Sequence, residues 1–226
     1  TDQPLEVSLE LGSSGVSWGR LGCPDALLRG GERLKQAGAT AIAVVARFPE
    51  DPASDELAAY RAGSGVDALA GAEAVISHLL VRHLQIPCAH APALAPLPLD
   101  PQLDPRAAGE ELGYTFLACV LVGLSRAPDL VAPGSGVIQA DQLGAVVAPA
   151  GALGGEAVLA CIERGVPLIA VANPSLLQVT AEALGIAPSV MSAASYAEAA
   201  GLVMALREGL SPAALQRPLS SLEFLT

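Results

Sequence analysis

The sequence predicts an α/β fold: a mostly parallel, doubly wound sheet with helices on both faces, preceded by an N-terminal β-hairpin. Apolar runs of strand length alternate repeatedly with segments of helical spacing, which is typical of parallel sheets with crossover helices. Residues 144–173 contain a complete strand–turn–helix–strand unit. Residues 5–18 alternate apolar and polar side chains around a Gly-rich turn, as hairpins do. Together these observations indicate a Rossmann-like architecture in a single domain over residues 1–226.

The boundaries of the predicted elements rest on residues that start or stop helices. Pro24 suits the first position of a helix, and Gly38, Gly185 and Gly209 suit the position after a helix end. The predicted helices cover 24–37, 54–62, 70–84, 105–112, 156–164, 175–184 and 196–208, and the predicted strands after the hairpin cover 41–48, 114–124, 145–149, 167–171 and 189–192. A Pro-rich crossing over 91–105 leads to a C-terminal βαβ half over 115–209.

The unit over 144–173 is the best-defined part of the pattern. The uninterrupted apolar run 145–149 suits a strand that is buried on both faces. Glycines break the run, and 156–164 then has helical spacing, with Gly165 as its stop. The run 167–171 is the next strand, and a parallel pair requires such a crossover.

A ligand site is expected at the carboxyl ends of these two strands, where open α/β sheets bind small molecules. Amide groups at a helix start can hold an anion, and glycines let it approach the backbone. The candidate binding residues are Gly151, Ala152, Gly154 and Gly155 after the first strand, and Asn173 and Ser175 after the second. The alternative is that the glycines only make a tight connection, because the pattern is neither GxGxxG nor a P-loop.

Three residues are candidates for catalysis. His90 lies among prolines after the predicted strand end at 86–88, where a rigid loop could hold an acid/base group. Arg126 and Asp129 follow the predicted central strand over 114–124, and a guanidinium there could clamp a carboxylate or phosphate. The alternatives are that Arg126 and Asp129 are a turn pair and that His90 is a loop residue.

The histidines invite a zinc interpretation that we do not favour. His78, His83, Cys88 and His90 follow one another closely, but residues five apart on a helix point away from each other. We therefore predict no metal site, and the sequence names no cofactor.

Composition excludes some classes of partner. The formal net charge is −11, and 12 Lys and Arg stand against 23 Asp and Glu. Binding to nucleic acid relies on basic groups that neutralise phosphates, so neither nucleic acid nor an anionic membrane surface is expected. No uninterrupted apolar segment has the length of a membrane span. The four cysteines are widely spaced, which favours a reducing compartment.

Several stretches resemble an uncharacterised family of unknown function from cyanobacteria and chloroplasts. They include SWGRLGCPDALLR, AIAVVARFP, GVDALAGAEAVISH and VVAPAGALGGEAV, and the most specific are PCAHAPAL and GYTFLACVLVGLSRAP. The resemblance covers most of the chain. It implies a cytoplasmic or plastid-stroma location and a longer protein with a further upstream segment, and it implies no reaction.

The favoured function is an enzyme that acts on a small anionic metabolite bearing a phosphate or carboxylate. One alternative is a non-catalytic binding module that forms a homo-oligomer or docks an upstream segment. A third is a self-processed hydrolase, in which Thr1 supplies a hydroxyl nucleophile and its own amine as base.

Overall fold

The computed structural model describes residues 1–48, 54–93, 99–114, 117–215 and 217. Internal contacts divide the chain into two units, Thr1–Ala132 and Pro133–Thr226, and each is considered by itself. The single domain over 1–226 stays a prediction. Within the described ranges, no helix is both long and apolar enough to cross a membrane.

Unit 1, Thr1–Ala132, contains four strands and five helices among its described residues. In chain order they are β1 (Val7–Leu11), β2 (Ser17–Leu21), α1 (Pro24–Gln36), β3 (Ile42–Ala46), α2 (Asp55–Arg61), α3 (Ala70–Leu84), β4 (Cys88–Pro92), α4 (Pro105–Tyr114) and α5 (Leu117–Leu124). Strands β1 and β2 pair antiparallel, with Leu9 opposite Gly19, which confirms the predicted hairpin. Strands β3 and β4 pair parallel, with Val44 opposite His90.

The core of unit 1 forms where α3 packs against α1, the hairpin and the β3–β4 pair. Its fully buried side chains include Ile76 and Leu80 of α3, which are four residues apart and share one helix face. The hairpin approaches α3 closely at Gly19, because a Cβ atom there would lie 2.5 Å from the Cβ of Ala72. Helix α3 therefore lies at the centre of the packing contacts in unit 1.

Unit 2, Pro133–Thr226, is a parallel sheet with helices on both faces. Its strands and α-helices are β5 (Val146–Pro149), α6 (Glu156–Glu163), β6 (Leu168–Val171), β7 (Val190–Ala193) and α7 (Tyr196–Arg207), and the strand order is β5-β6-β7. Short 3-10 helices lie at Ala140–Gln142, Ala187–Ser189 and Pro212–Leu215. On one face, Ala148 and Ala170 pack with Val158 and Ile162 of α6. On the other face, Ile169 packs with apolar residues of α7. The α/β class and the parallel pairing are confirmed, and the described strands form three small sheets.

The predicted strand over 114–124 is wrong. Tyr114 ends α4, and residues from Leu117 to Leu124 form α5, which packs against β3 and β4. Residues 115–116 lie outside the described residues. The run is apolar throughout, so its periodicity cannot distinguish a strand from a helix, and its leucines and alanine favour a helix.

Two other predictions are corrected. Residues 175–184 do not form a helix; Val179 instead pairs with Ala152 in an isolated parallel bridge. His90 lies inside strand β4 and not in a loop, because the parallel ladder continues to Pro92 opposite Ala46. Of the predicted Pro-rich crossing, residues 94–98 lie outside the described residues.

Candidate functional site

The carboxyl edge of the β5–β6–β7 sheet collects all the predicted binding residues. Strands β5 and β6 end side by side, with Pro149 opposite Val171. The glycine turn therefore follows one strand, and Asn173 and Ser175 follow its neighbour. The two groups thus lie at one edge of one sheet.

Some of the predicted binding residues contact another segment of the same chain, residues 175–179. Val179 donates its backbone N–H to the carbonyl of Gly151, and Leu153 donates to the carbonyl of Val179, each over 2.9 Å. A Cβ atom on Gly151 would lie 2.6 Å from the carbonyl oxygen of Leu177, and one on Gly154 would lie 2.7 Å from a methyl group of Val179. These two glycines are therefore explained by close packing of residues 175–179.

Ser175 and Ala152 belong to the same packed segment. The hydroxyl of Ser175 accepts a hydrogen bond from the backbone N–H of Leu177 over 3.1 Å, and Ala152 forms the bridge to Val179. Local bonds of this kind stabilise turns. The packing gives Gly151, Ala152, Gly154 and Ser175 a structural explanation, whereas their roles in binding stay predictions.

Gly155 and Asn173 are placed differently. Gly155 is the N-cap of α6, and a Cβ atom there would meet nothing within 4 Å. Asn173 is exposed at the end of the central strand β6, and its Nδ2 donates to the hydroxyl of Tyr196 over 3.0 Å. The sequence did not predict Tyr196, the first residue of α7, as a site residue, because its partner Asn173 is 23 residues away.

The two helix starts at this edge differ in their capping. At α7, Ser195 accepts a hydrogen bond from the N–H of Glu198, and the carboxylate of Glu198 accepts one from the N–H of Ala194. At α6 the N-cap is Gly155, which has no side chain to cap the helix. Gly155 thus gives α6 no side-chain cap of the kind that Ser195 gives α7, and the positive end of the α6 dipole lies at this edge.

In unit 1, His90 lies against α3 and contacts two of its residues. Its Nδ1 is 2.5 Å from the hydroxyl oxygen of Ser77, and its Nε2 is 3.6 Å from a carboxylate oxygen of Glu73. Glu73 and Ser77 are four residues apart and share one face of α3. Both are buried, so the contacts join β4 to α3 in surroundings of low polarity.

Burial determines the charge of His90. It lowers the pKa of the imidazole below 6.5, and the nearby His78 lowers that pKa further. His90 is therefore neutral at neutral pH. We assign its proton to Nε2, which faces the carboxylate of Glu73, so that Nδ1 accepts a hydrogen bond from Ser77. Neither Glu73 nor Ser77 was predicted as a site residue. Their spacing of four does place them on one face of the predicted helix over 70–84.

Arg126 and Asp129 lie elsewhere in unit 1. Both are exposed, in the segment that follows α5. Within the described part of the chain, no hydrogen bond or ion pair joins either side chain to His90. Nearby residues Ala127, Pro128 and Leu130, together with Cys88 and residues of α3 and α5, line an open, almost wholly apolar pocket of about 390 Å³. Burial raises the pKa of the Cys88 thiol, which makes it a poor nucleophile.

The other histidines have separate surroundings. His83 is exposed, and its Nε2 is 2.7 Å from a carboxylate oxygen of Glu32. His78 is exposed on α3. Among the described residues, no group of three His, Cys, Asp or Glu is arranged to hold a metal ion.

Comparison with known proteins gives a family but no activity. A family described as "Protein of unknown function (DUF3326)" matches residues 1–216. An uncharacterized lipoprotein of Synechococcus sp. is 51% identical over 219 residues, which are 95% of this chain and 60% of that protein. The chain thus spans less than two thirds of the length of this relative. No solved structure matches the chain. The chain belongs to this cyanobacterial family of proteins of unknown function.

Proposed function

We propose that the chain is a small-molecule-binding α/β protein whose site lies at the carboxyl edge of the β5–β6–β7 sheet. Parallel sheets with helices on both faces bind ligands beyond the carboxyl ends of their strands, and unit 2 has this architecture. The observation that carries the proposal is the hydrogen bond from Asn173 to Tyr196, which fixes an amide and a hydroxyl at the end of the central strand.

The chemistry of this edge favours a metabolite with a phosphate or carboxylate. The start of α6 offers backbone N–H donors and the positive end of a helix dipole. The hydroxyl of Tyr196 accepts from Asn173 and so keeps its own proton to donate. Glu156 lies in the first turn of α6, and its negative charge disfavours a highly charged anion.

Calorimetry with a panel of sugar phosphates, nucleotides and small carboxylates tests this proposal. We expect at least one class to bind, and Tyr196→Phe to weaken it by about fivefold through the loss of one hydrogen bond. Asn173→Ala should weaken the same ligand. The matched control is Ser189→Ala, because Ser189 is exposed at the amino end of β7. The proposal fails if nothing binds, or if both variants bind like the unmodified protein.

If the protein is an enzyme, the residues that we propose for catalysis are His90, Arg126 and Asp129. These candidates lie in unit 1, whereas the candidate binding residues lie in unit 2. His90 has the partners of an acid/base group, and Arg126 and Asp129 are exposed and able to meet an anion. The alternative with Thr1 as the nucleophile of a self-processed hydrolase also stays a prediction.

One observation favours a second candidate function, an assembly module. Helix α5 is almost wholly apolar, and its side chains Leu121 and Val122 are 52% and 54% exposed. Leu130 and Val131, beyond the helix, are also exposed. Contiguous exposed apolar surface is typical of protein interaction sites. We propose that this surface, α5 with Leu130 and Val131, joins copies of the chain.

We also propose a cellular location for the protein. The sequence predicts the cytoplasm or the plastid stroma, whereas the Synechococcus relative is named a lipoprotein. A lipid anchor would attach that protein to a membrane without a spanning helix. We propose the same attachment for this chain as the alternative to a cytoplasmic location, and fractionation of the native cells distinguishes the two.

A further inference from the structure

The contact between α3 and β4 in unit 1 brings together a hydroxyl, an imidazole and a carboxylate. Ser77 lies 2.5 Å from Nδ1 of His90, and Glu73 lies 3.6 Å from Nε2 on the other side of the ring. A hydroxyl and a carboxylate on opposite nitrogens of one imidazole are the groups that activate a serine in acyl-transfer enzymes.

We propose that Ser77 is a nucleophile that His90 activates and Glu73 orients, and that this site accepts a small acyl group from an ester or thioester. The inference is independent of the ligand site proposed in unit 2, because it uses residues of α3 and β4 alone.

The position of the ring explains which proton His90 can move. Both ring nitrogens face α3, so a substrate outside the protein does not meet them directly. The group at Nδ1 is the hydroxyl of Ser77, and a neutral imidazole can accept its proton. Glu73 stabilises the imidazolium that then forms. His90 thus acts first on Ser77, and it meets the leaving group and the water only where they lie beside the Ser77 hydroxyl.

The reaction balances without a cofactor. The hydroxyl oxygen of Ser77 forms a bond to the carbonyl carbon while its proton passes to Nδ1 of His90. The bond from that carbon to the leaving oxygen or sulfur then breaks, and the leaving group takes the proton from Nδ1. Water, deprotonated by His90, releases the acid from the acyl-serine and restores the hydroxyl.

Burial limits the substrate to a small and neutral acyl group. The side chain of His90 is 31% exposed, whereas Ser77 is only 9% exposed. A substrate therefore enters along the exposed part of the imidazole. A site of low polarity also disfavours an anionic acyl group, because burying an unpaired charge is costly.

Labelling of the full chain tests the proposal. The protein is treated with p-nitrophenyl acetate or diisopropyl fluorophosphate, digested with trypsin and sequenced by tandem mass spectrometry. Cleavage after Arg61 and Arg82 gives one peptide that contains Ser77 and also the exposed Ser64, which serves as an internal control. We expect the adduct on Ser77 and not on Ser64, and a labelling rate that rises as His90 loses its proton.

Three variants decide the roles. Ser77→Ala should lose the adduct from this peptide, and His90→Gln should slow labelling by about 100-fold or more. Glu73→Gln should shift the pH profile of labelling to lower pH, since it removes the charge that favours the imidazolium; a purely structural residue would not move this profile. If Ser77→Ala does not fold, the site of the adduct in the unmodified protein decides. Labelling that is absent from Ser77, or unchanged in His90→Gln, overturns the proposal.

Discussion

Arg61 and Glu111 form an ion pair that joins α2 to α4, with 2.8 Å between the guanidinium Nε and a carboxylate oxygen. The two side chains are only 15% and 13% exposed. Removing one member of such a shielded pair leaves the other charge poorly solvated, which costs more than the loss of an exposed pair.

We therefore expect Glu111→Gln to lower the free energy of unfolding by about 2 kcal/mol. The matched control is Glu10→Gln in the hairpin, whose carboxylate lies 3.8 Å from Arg20 at an exposed position; it should cost less than about 0.5 kcal/mol. Urea titration of both variants measures the difference. Equal losses in the two would contradict our account of the Arg61–Glu111 pair.

The close packing of Gly151 gives a second prediction. A Cβ atom at Gly151 would meet the backbone carbonyl of Leu177 at 2.6 Å, and backbone cannot move aside cheaply. Gly151→Ala should therefore destabilise unit 2 by about 2 kcal/mol. Gly201, inside α7, has open space around it, so Gly201→Ala should stabilise the same unit by roughly 0.5–1 kcal/mol.

Thermal unfolding monitored by circular dichroism measures both glycine variants. Opposite signs are expected because α7 gains a better helix former, whereas the 175–179 segment is pushed away from the turn. If Gly151→Ala were neutral, the turn would have room for a side chain, and the binding role of Gly151 would regain its support.

The buried His90 makes stability depend on pH. Its pKa in the folded protein lies below 6.5, first because of burial and then because of His78. The unfolded chain therefore binds the proton more readily, and stability is lost as the pH falls from about 6.5 through the lower, folded pKa. Above 6.5 this contribution is constant.

Urea titrations between pH 5 and pH 8 check this prediction. In His90→Gln the loss of stability over that window should be smaller than in the unmodified protein. His83→Gln is the control, because His83 is exposed beside Glu32 on the surface of the same unit, and it should keep the pH dependence that His90 causes. An unchanged slope in His90→Gln would refute the burial argument.

Elements marked by local signals could be predicted from the sequence. The hydroxyl of Ser195, a residue type favoured at this position, caps α7, and Gly165 and Gly209 follow helix ends with positive φ angles. Helix α3 has the predicted bounds. These signals act within a few residues of the chain, so a single sequence contains them.

Contacts between distant residues could not be predicted. Ser77 meets His90 because α3 packs on β4. Val179 bonds to the glycine turn across 28 residues, in a segment that the sequence predicts as a helix. The periodicity of the apolar run that forms α5 does not distinguish a strand from a helix, and its packing against β3 and β4 involves residues far away in the chain.

The exposed apolar surface of α5 gives the last prediction. Leu121 and Val122 are more than half exposed, and a charge placed among them would have to be desolvated in any interface between copies. If the surface joins copies of the chain, size-exclusion chromatography with light scattering should show a dimer or larger oligomer, and Val122→Lys should convert it to a monomer. Leu34→Lys is the control, because Leu34 is 50% exposed on α1, and it should leave the oligomer intact. A monomer in the unmodified protein at high concentration would exclude the assembly function and leave the α5 surface for another partner.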